Sequence, residues 1–461
     1  KQSLYLELKK ILSQMRISIL FLFLFNGLFC FAQIEFSDSL SAKDAVLIAL
    51  KNNFDIQVSN AQLDISEKNN SWSEAGLFPT VALNVGYNNT IQDNSNNPFT
   101  FTPGVILSRS LSPNLSLNLN LFSGFAVKIS KERLEKLEEQ SKGNALLVVE
   151  STILDVLKAY YSARVQYDRL MILNQLKTDA HKRYQFYVSK NKYANSSSLE
   201  ELQFKNQYFS DSTNALVQEY SLKNALRNLF LLMNNSEIEE DIKIPFLLDE
   251  LEFEFPIMDF NEVMNSLKGN NQQLKNQLIG IEIQQLNTSF QKSFLYPTLS
   301  LQGSFTPSKS WFEDLNGTFD PVQTEIINYN GTINLRYTIF NNWKNKRAVE
   351  VSKIQESISQ MNYNKMEKTM RSSMATLIDS YKGNSNLVEL STANIEFATK
   401  TFELAKKRLE RGTLNSVDLL VFENSYQNQL LQHYEFLFNK INTFLEIYKL
   451  SGKLALDYVN D

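Results

Sequence analysis

The feature that most constrains this 461-residue chain is an internal repeat held at a single offset. Asn52-Asn53 maps onto Asn270-Asn271 and Ile65 onto Ile283, and Leu77, Pro79 and Thr80 map onto Leu295, Pro297 and Thr298, each 218 residues on. Phe122 maps onto Phe340, Ala194 onto Gly412, and Leu232-Met233-Asn234 onto Leu450-Ser451-Gly452. One offset serves all of these landmarks without an insertion, so the chain is expected to fold as two structurally equivalent halves.

Each half reads as helix, strand, loop, strand, very long helix, turn, helix. The first repeat, 33–234, is expected to hold strands at about 80–89 and 113–122, a long helix over 123–193 and a return helix over 197–233. After an equatorial linker at 235–260, the second repeat covers 261–452, with strands at about 298–306 and 331–340, a long helix over 341–411 and a return helix over 416–451. Residues 453–461 form a C-terminal tail. The long-helix stretches lack proline, and their Leu, Val, Ile and Tyr recur at three- and four-residue spacing. About 70 helical residues rise roughly 105 Å, too far for one return helix to cover. Length matching pairs the return helix after 197 with the helix from Asn271 toward Pro297. It pairs the return helix from Ser416 with the N-terminal helix from Phe54 to Leu77.

Each Leu-x-Pro-Thr joint turns helical spacing into alternation. Val81, Leu83, Val85 and Tyr87 oppose Ala82, Asn84, Gly86 and Asn88, while Leu115, Leu117, Leu119 and Leu121 oppose Asn114, Ser116, Asn118 and Asn120. In the second half Leu299, Leu301 and Phe305 oppose Ser300, Gln302 and Ser304, and Ile333, Leu335, Tyr337 and Ile339 oppose Asn334, Arg336 and Thr338. Ten-residue segments with one apolar and one polar face are the signature of an outer-membrane barrel; on periodicity alone a sheet laid on a soluble core fits as well, and the neutral or small residues of the polar face, the Asn-, Ser-, Thr- and Pro-rich joining segments and an N-terminal export signal favour the barrel. The polar segments between them, 89–112 and 308–329, read as loops. Pro79 and Pro297 suit helix-to-strand joints, because proline stops a helix, extends the residue before it and can open a strand without a ladder donor. Four strands cannot close a barrel, for which about eight is the usual minimum, so copies of the chain must associate.

Composition narrows the function classes. Net charge is −4 with 21% charged residues, which argues against nucleic acid. Two histidines and one cysteine leave almost no material for a Cys/His metal site or a thiol nucleophile. No recognisable nucleophile–base pair or nucleotide-binding loop is present, so no enzyme activity and no cofactor is expected. Met15-Arg16 followed by "ISILFLFLFNGLFCFAQ" reads as a secretory signal peptide over 1–32, with Met15 a possible start and cleavage expected after Ala32. Acylation of Cys30 is the weaker alternative, given the bulky Phe29 before it. No later stretch approaches the roughly 20 apolar residues of a membrane-spanning helix.

The stretches "LSAKDAVLIALKNNFDIQVSNAQLDISEKNNSWSEAGLFPTVALNVGY", "LNLNLFSGF" and "AKKRLERGTLNSVDLLVFENSYQNQLLQHYEFLFNKINTFLEIYKLSG" resemble the TolC-like outer-membrane efflux proteins over residues of about 40 to 452. The resemblance implies an α+β membrane protein: a homotrimer with a twelve-stranded transmembrane β-barrel in outer-membrane lipid, continued by a twelve-helix barrel across the periplasm. It also implies a passive exit duct for a tripartite efflux or type I secretion system. Such a duct is docked by a periplasmic adaptor and an inner-membrane pump of the RND, ABC or MFS type. A secreted periplasmic coiled-coil rod without a barrel is the competing reading.

The helix–helix turns are the candidate functional sites. The resemblance aligns Gly412, Thr413 and Leu414 with the adaptor-contact turn, and the repeat adds Ala194, Asn195 and Ser196. It also aligns Asp418 with an acid ringing the periplasmic constriction, and the repeat adds Glu200. Asp418 and Glu200 equally fit helix-start capping, a role compatible with facing a pore. His181 and His433 read as ordinary packing or surface residues and Glu135–Gln140 as a solvated helix face. Phe125 and Trp343, at equivalent positions past the strands, fit either an aromatic belt or core packing.

Overall fold

A computed structural model describes residues 39–99, 104–194, 198–234, 244–251, 260–317 and 320–454. The expected signal peptide, Asn195, Ser196, most of the 235–260 linker and residues 455–461 lie outside them. The chain divides into two units. In the smaller, β1 (Ser39–Leu40) and β4 (Phe246–Leu247) pair in parallel, Ser39 opposite Phe246.

The larger unit holds eight helices and four strands among the described residues, and the 218-residue offset recurs in its coordinates. α1 (Ala42–Asn52) and α2 (Phe54–Asn69) correspond in start to α5 (Phe260–Asn270) and α6 (Gln272–Ser293). β2 (Thr80–Asp93) corresponds to β5 (Thr298–Asp314), and α3 (Ala126–Ala194) to α7 (Lys344–Glu410). α4 (Ser198–Leu232) matches α8 (Ser416–Leu450) at both ends. The backbone repeats too. Gly124 and Phe125 have φ of 62° and 67°, and Asn342 and Trp343 have φ of 56° and 59°, so both strand-to-helix turns use two left-handed residues. Phenylalanine and tryptophan are poor residues for that conformation, so the turn is imposed by the fold.

The helices form a row. Toward the strands its order is α2–α3–α6–α7; toward the hairpin turns it is α4–α3–α8–α7. This corrects the length-matched pairing: α4 continues into α2 and α8 into α6, each within its own half. Two asparagines make the splices. Asn53 Nδ2 donates to the Leu232 carbonyl at 2.8 Å while its Oδ1 accepts from the amides of Asp55 and Ile56. Asn271 Nδ2 donates to the Leu450 carbonyl at 3.0 Å and its Oδ1 accepts from the Leu274 amide. Each buried side chain thus caps one helix start and satisfies one helix end. At the second splice the chain passes so close that a Cβ on Gly452, φ 70°, would lie 2.6 Å from the Asn270 carbonyl carbon. α2 also stops at Asn69, earlier than the expected Leu77. Asn70 turns its side chain to Glu138 and Lys131, and a Ser71-anchored turn with Gly76 at φ 88° precedes Pro79.

α3 is buried on several sides, with Ile153, Val156, Tyr160 and Ala163 fully enclosed. α7, at the row's edge, buries a narrow stripe: Met370, Met374 and Ile378 pack with Val263, Leu267, Leu274 and Ile447.

The strands form an antiparallel sheet in the order β2–β3–β5–β6, with β3 spanning Val105–Ser123 and β6 Val322–Arg336. They run well beyond the expected ten-residue segments, through most of the polar stretches read as loops. Cross-strand contacts account for the extension: Lys309 pairs with Glu325 at 2.6 Å, Arg109 with Glu313 at 3.6 Å, and Trp311 Nε1 donates to Gln323 Oε1 at 3.2 Å. β6 ends at Arg336, short of the expected 340, and β3 reaches Ser123 through a register shift between Asn120 and Phe122.

Asn53→Ala and Asn271→Ala should each lower stability by about 1–3 kcal/mol, through a lost cap and an orphaned carbonyl. The exposed Asn60→Ala control should stay within about 0.5 kcal/mol. Denaturation followed by circular dichroism checks this; an unequal response of the two asparagines would contradict their equivalence.

Candidate functional site

The sheet register sorts side chains into two faces. On one, Leu83, Leu115, Phe305 and Tyr329 form a row across all four strands, with Leu119, Leu301 and Ile333 in another. On the other face, Ala82, Ser116, Ser304 and Asn330 form a row, as do Thr80, Asn118, Gln302 and Thr332. Among the described residues nothing covers the apolar rows: Val81, Leu83, Val85 and Tyr87 are 60 to 67% exposed and Tyr329, Ile333 and Leu335 are 67 to 77% exposed. So much outward aliphatic and aromatic surface marks an interaction face.

That face has two edges. Past Pro307 the outward positions become Lys309, Trp311 and Glu313, with Arg109 opposite Trp311 and Glu325 opposite Lys309. At the other end lie Phe122, Phe125 and Tyr296 in edge-to-face contact, and Phe340 against Trp343. From Thr298 to Pro307 the strand runs about 33 Å, which at the usual barrel tilt is an apolar band of about 25 Å. Aromatic residues rim it at both ends, as in an aromatic girdle. Pro79 and Pro297 each directly precede a strand, at the end where the helices begin. The charged rim escaped the sequence reading because its polar composition resembled a loop; the alternation of Lys309, Trp311 and Glu313 was the available signal.

At the opposite end of the helices lie the two hairpin turns. α7 stops by a glycine motif: Gly412, φ 70°, donates its amide to the Leu409 carbonyl, and the Thr413 amide reaches the Arg408 carbonyl at 2.9 Å. Leu414 packs inward. Asn415 Oδ1 then accepts from the Asp418 amide at 2.8 Å and starts α8, leaving the Asp418 side chain exposed. In the first half Ala194 ends α3, and Glu200 sits half-buried in the first turn of α4, close enough to Tyr187 to add to the effect of burial in raising its phenol.

The structure brings the two turns together. Ser416 Oγ donates to Gln203 Oε1 at 2.7 Å, and Tyr187, Phe204, Phe402, Ala405 and Leu419 form one cluster from four helices. Behind it Arg183 of α3 clamps Glu423 of α8, with Nη2 to Oε2 at 2.6 Å, beside Asp211 of α4. These three were not singled out from sequence. The signal was there in α8: Glu423 occupies a position in the buried stripe Ser416, Leu419, Gln427, His433, Leu437. His433 is enclosed and shares a 2.8 Å hydrogen bond with Ser391, while His181 lies against Tyr208. Glu135–Gln140 is laced by Lys136 to Glu139 and Glu282, and by Lys142 to Glu138.

No helix among the described residues is long and apolar enough to cross a membrane.

Known proteins place this architecture. No curated protein gives a match. Among solved structures, the CmeC outer membrane channel of Campylobacter jejuni superposes with a TM-score of 0.72 at 16% identity, covering 89% of this chain and 85% of that one. The open state of the Neisseria gonorrhoeae MtrE outer membrane channel gives 0.66 at 17%, covering 90% and 89%. The Vibrio cholerae outer membrane protein VceC gives 0.66 at 12%, covering 89% and 96%. At such identities the likeness is one of fold. The family model for the outer membrane efflux protein matches twice, over residues 46–235 and 263–453, one match for each structural half. With a membrane-type sheet at one end and paired helical hairpins at the other, the chain belongs to the outer membrane efflux protein family and is an outer-membrane protein that extends into the periplasm.

Proposed function

We propose that the protein is the passive exit duct of a tripartite exporter, assembled as a trimer with a twelve-stranded barrel and a twelve-helix tube. The observation that carries this reading is that both layers of the chain end in open edges of matching kind. The sheet leaves β2 and β6 without outer neighbours among the described residues. A sheet edge cannot stand unpaired in hydrocarbon, and β6 of one copy against β2 of the next would close it.

The helical row ends in the same way. On α7, Val351, Ile354, Ile358 and Met361, then Leu387, Leu390, Phe397 and Leu404, are exposed at three-, four- and seven-residue intervals. On the other edge Leu199, Leu202, Phe209, Leu216 and Tyr220 of α4 and Phe54, Val58 and Ile65 of α2 repeat that spacing. Among the described residues these have the spacing of exposed coiled-coil seams. The two edges differ in sequence, so they suit a head-to-tail ring.

The polar face of the barrel would line a water-filled lumen, and the hairpin turns would meet a periplasmic adaptor through Gly412, Thr413 and Leu414, with Ala194, Asn195 and Ser196 in the other half. An inner-membrane pump of the RND, ABC or MFS type would supply the energy. The exposed Asp418 and the half-buried Glu200, related by the repeat, would supply up to six carboxylates to a cation-favouring constriction.

Leu301→Arg, on the outward face, should cost about 2–4 kcal/mol and deplete the protein from the outer membrane. Gln302→Arg, one residue on, should assemble and alter conductance instead. Equal assembly of both variants would refute the barrel orientation. The purified wild type should run as a heat-resistant trimer with single-channel conductance, whereas a water-soluble monomer would sink the duct reading. In the same recordings Asp418→Ala with Glu200→Ala should weaken cation selectivity and divalent-cation block; unchanged values would remove both acids from the constriction.

A further inference from the structure

The interior between the two hairpins holds one cation too few. Glu423 is 1% exposed and Asp211 2% exposed, and the guanidinium of Arg183 is the basic group engaged with Glu423. Asp211 Oδ1 accepts from Gln207 Nε2 at 2.9 Å, while its Oδ2 is buried without a hydrogen-bond partner among the described residues. The other charged groups facing this point come from each neighbouring helix. Asp179 of α3 and Lys406 of α7 lie 3.8 Å apart and pair with each other. His181 of α3 stacks on Tyr208, one turn from Asp211, with ring centroids 4.6 Å apart. Two buried carboxylates thus share one guanidinium, an arrangement that a proton on one of them stabilises.

We propose that Asp211, Glu423 and Arg183 form a proton-operated clasp between hairpin α3–α4 and hairpin α7–α8, tight when Asp211 is protonated and loosened when it ionises. The three groups sit on three helices: Arg183 of one hairpin bonds Glu423 of the other, and Asp211 faces Glu423 from the Arg183 side, so the repulsion between the two carboxylates acts across the seam. A proton on Asp211 removes that repulsion and lets Arg183 serve Glu423 alone.

The direction follows from linkage. Burial, and then Glu423, push the Asp211 carboxyl up to about 6 from 3.8, with Gln207 and Arg183 opposing. A carboxyl raised in the fold favours the closed seam at low pH, and that contribution is lost as pH rises through about 6. Glu423 is also raised by burial, with Arg183 holding it down.

Hydrogen exchange of the intact protein, corrected for intrinsic rates, reads the seam at 207–215 and 419–427. Opening should be about tenfold more frequent at pH 8 than at pH 5, the factor expected if Asp211 is released to its ordinary titration on opening. Asp211→Asn, which keeps the shape of the protonated acid, should abolish that difference and hold the seam closed at both pH values. Should Asp211→Asn fail to fold, Glu423→Gln frees Arg183 for Asp211 and should flatten the same profile. Equal corrected protection of the wild type at both pH values overturns the clasp. So does a pH dependence that survives both substitutions, which would assign it to His181 or the Asp179–Lys406 pair.

Discussion

A helix of 69 residues rises about 100 Å, and every turn of it needs lateral cover. That requirement shapes the helical part of the molecule. No single return helix is long enough, so each half covers its long helix in two pieces, α4 with α2 and α8 with α6. A spliced helix exposes one set of orphan carbonyls and one set of orphan amides at the same place. Asn53 and Asn271 serve both sets with one side chain each, and Gly452 admits the close backbone passage at the second splice. The splice is also where chain can leave for the connecting segment without breaking the row.

The sheet answers a different solvent. Among the described residues nothing packs over its apolar rows, and its polar rows carry mostly Asn, Ser, Gln and Thr, with Arg336 at one end. Where the outward face meets Lys309, Trp311, Glu313 and Arg109, the apolar band ends although the hydrogen-bonded ladder continues. Backbone pairing and membrane depth are thus set separately, the first by strand register and the second by side-chain type.

At the far end the two hairpins meet through a mixed contact, aromatic and aliphatic around Phe204 and Phe402, ionic around Arg183 and Glu423. Apolar packing there does not titrate, whereas the ionic part depends on the count of buried charges. The seam between the hairpins is therefore where a small chemical change has most leverage on their separation.

Much of this was legible in the chain itself. The constant offset, the alternation after Pro79 and Pro297, the long proline-free helices and the Gly412 stop follow from local rules, because periodicity, proline and glycine act through the backbone of a few neighbouring residues. Which return helix meets which short helix did not follow, since both pairings have the same length; the long-range contacts at the splices, among them the side-chain bonds of Asn53 and Asn271, decide it. The strands outran their apolar segments because Lys309–Glu325 and Arg109–Glu313 hold a ladder that composition alone reads as loop. The meeting of Arg183, Asp211 and Glu423, more than 200 residues apart at the extremes, arose only when three helices packed. Local sequence determined the elements and their symmetry, while long-range packing decided which ends join and which charges are buried together.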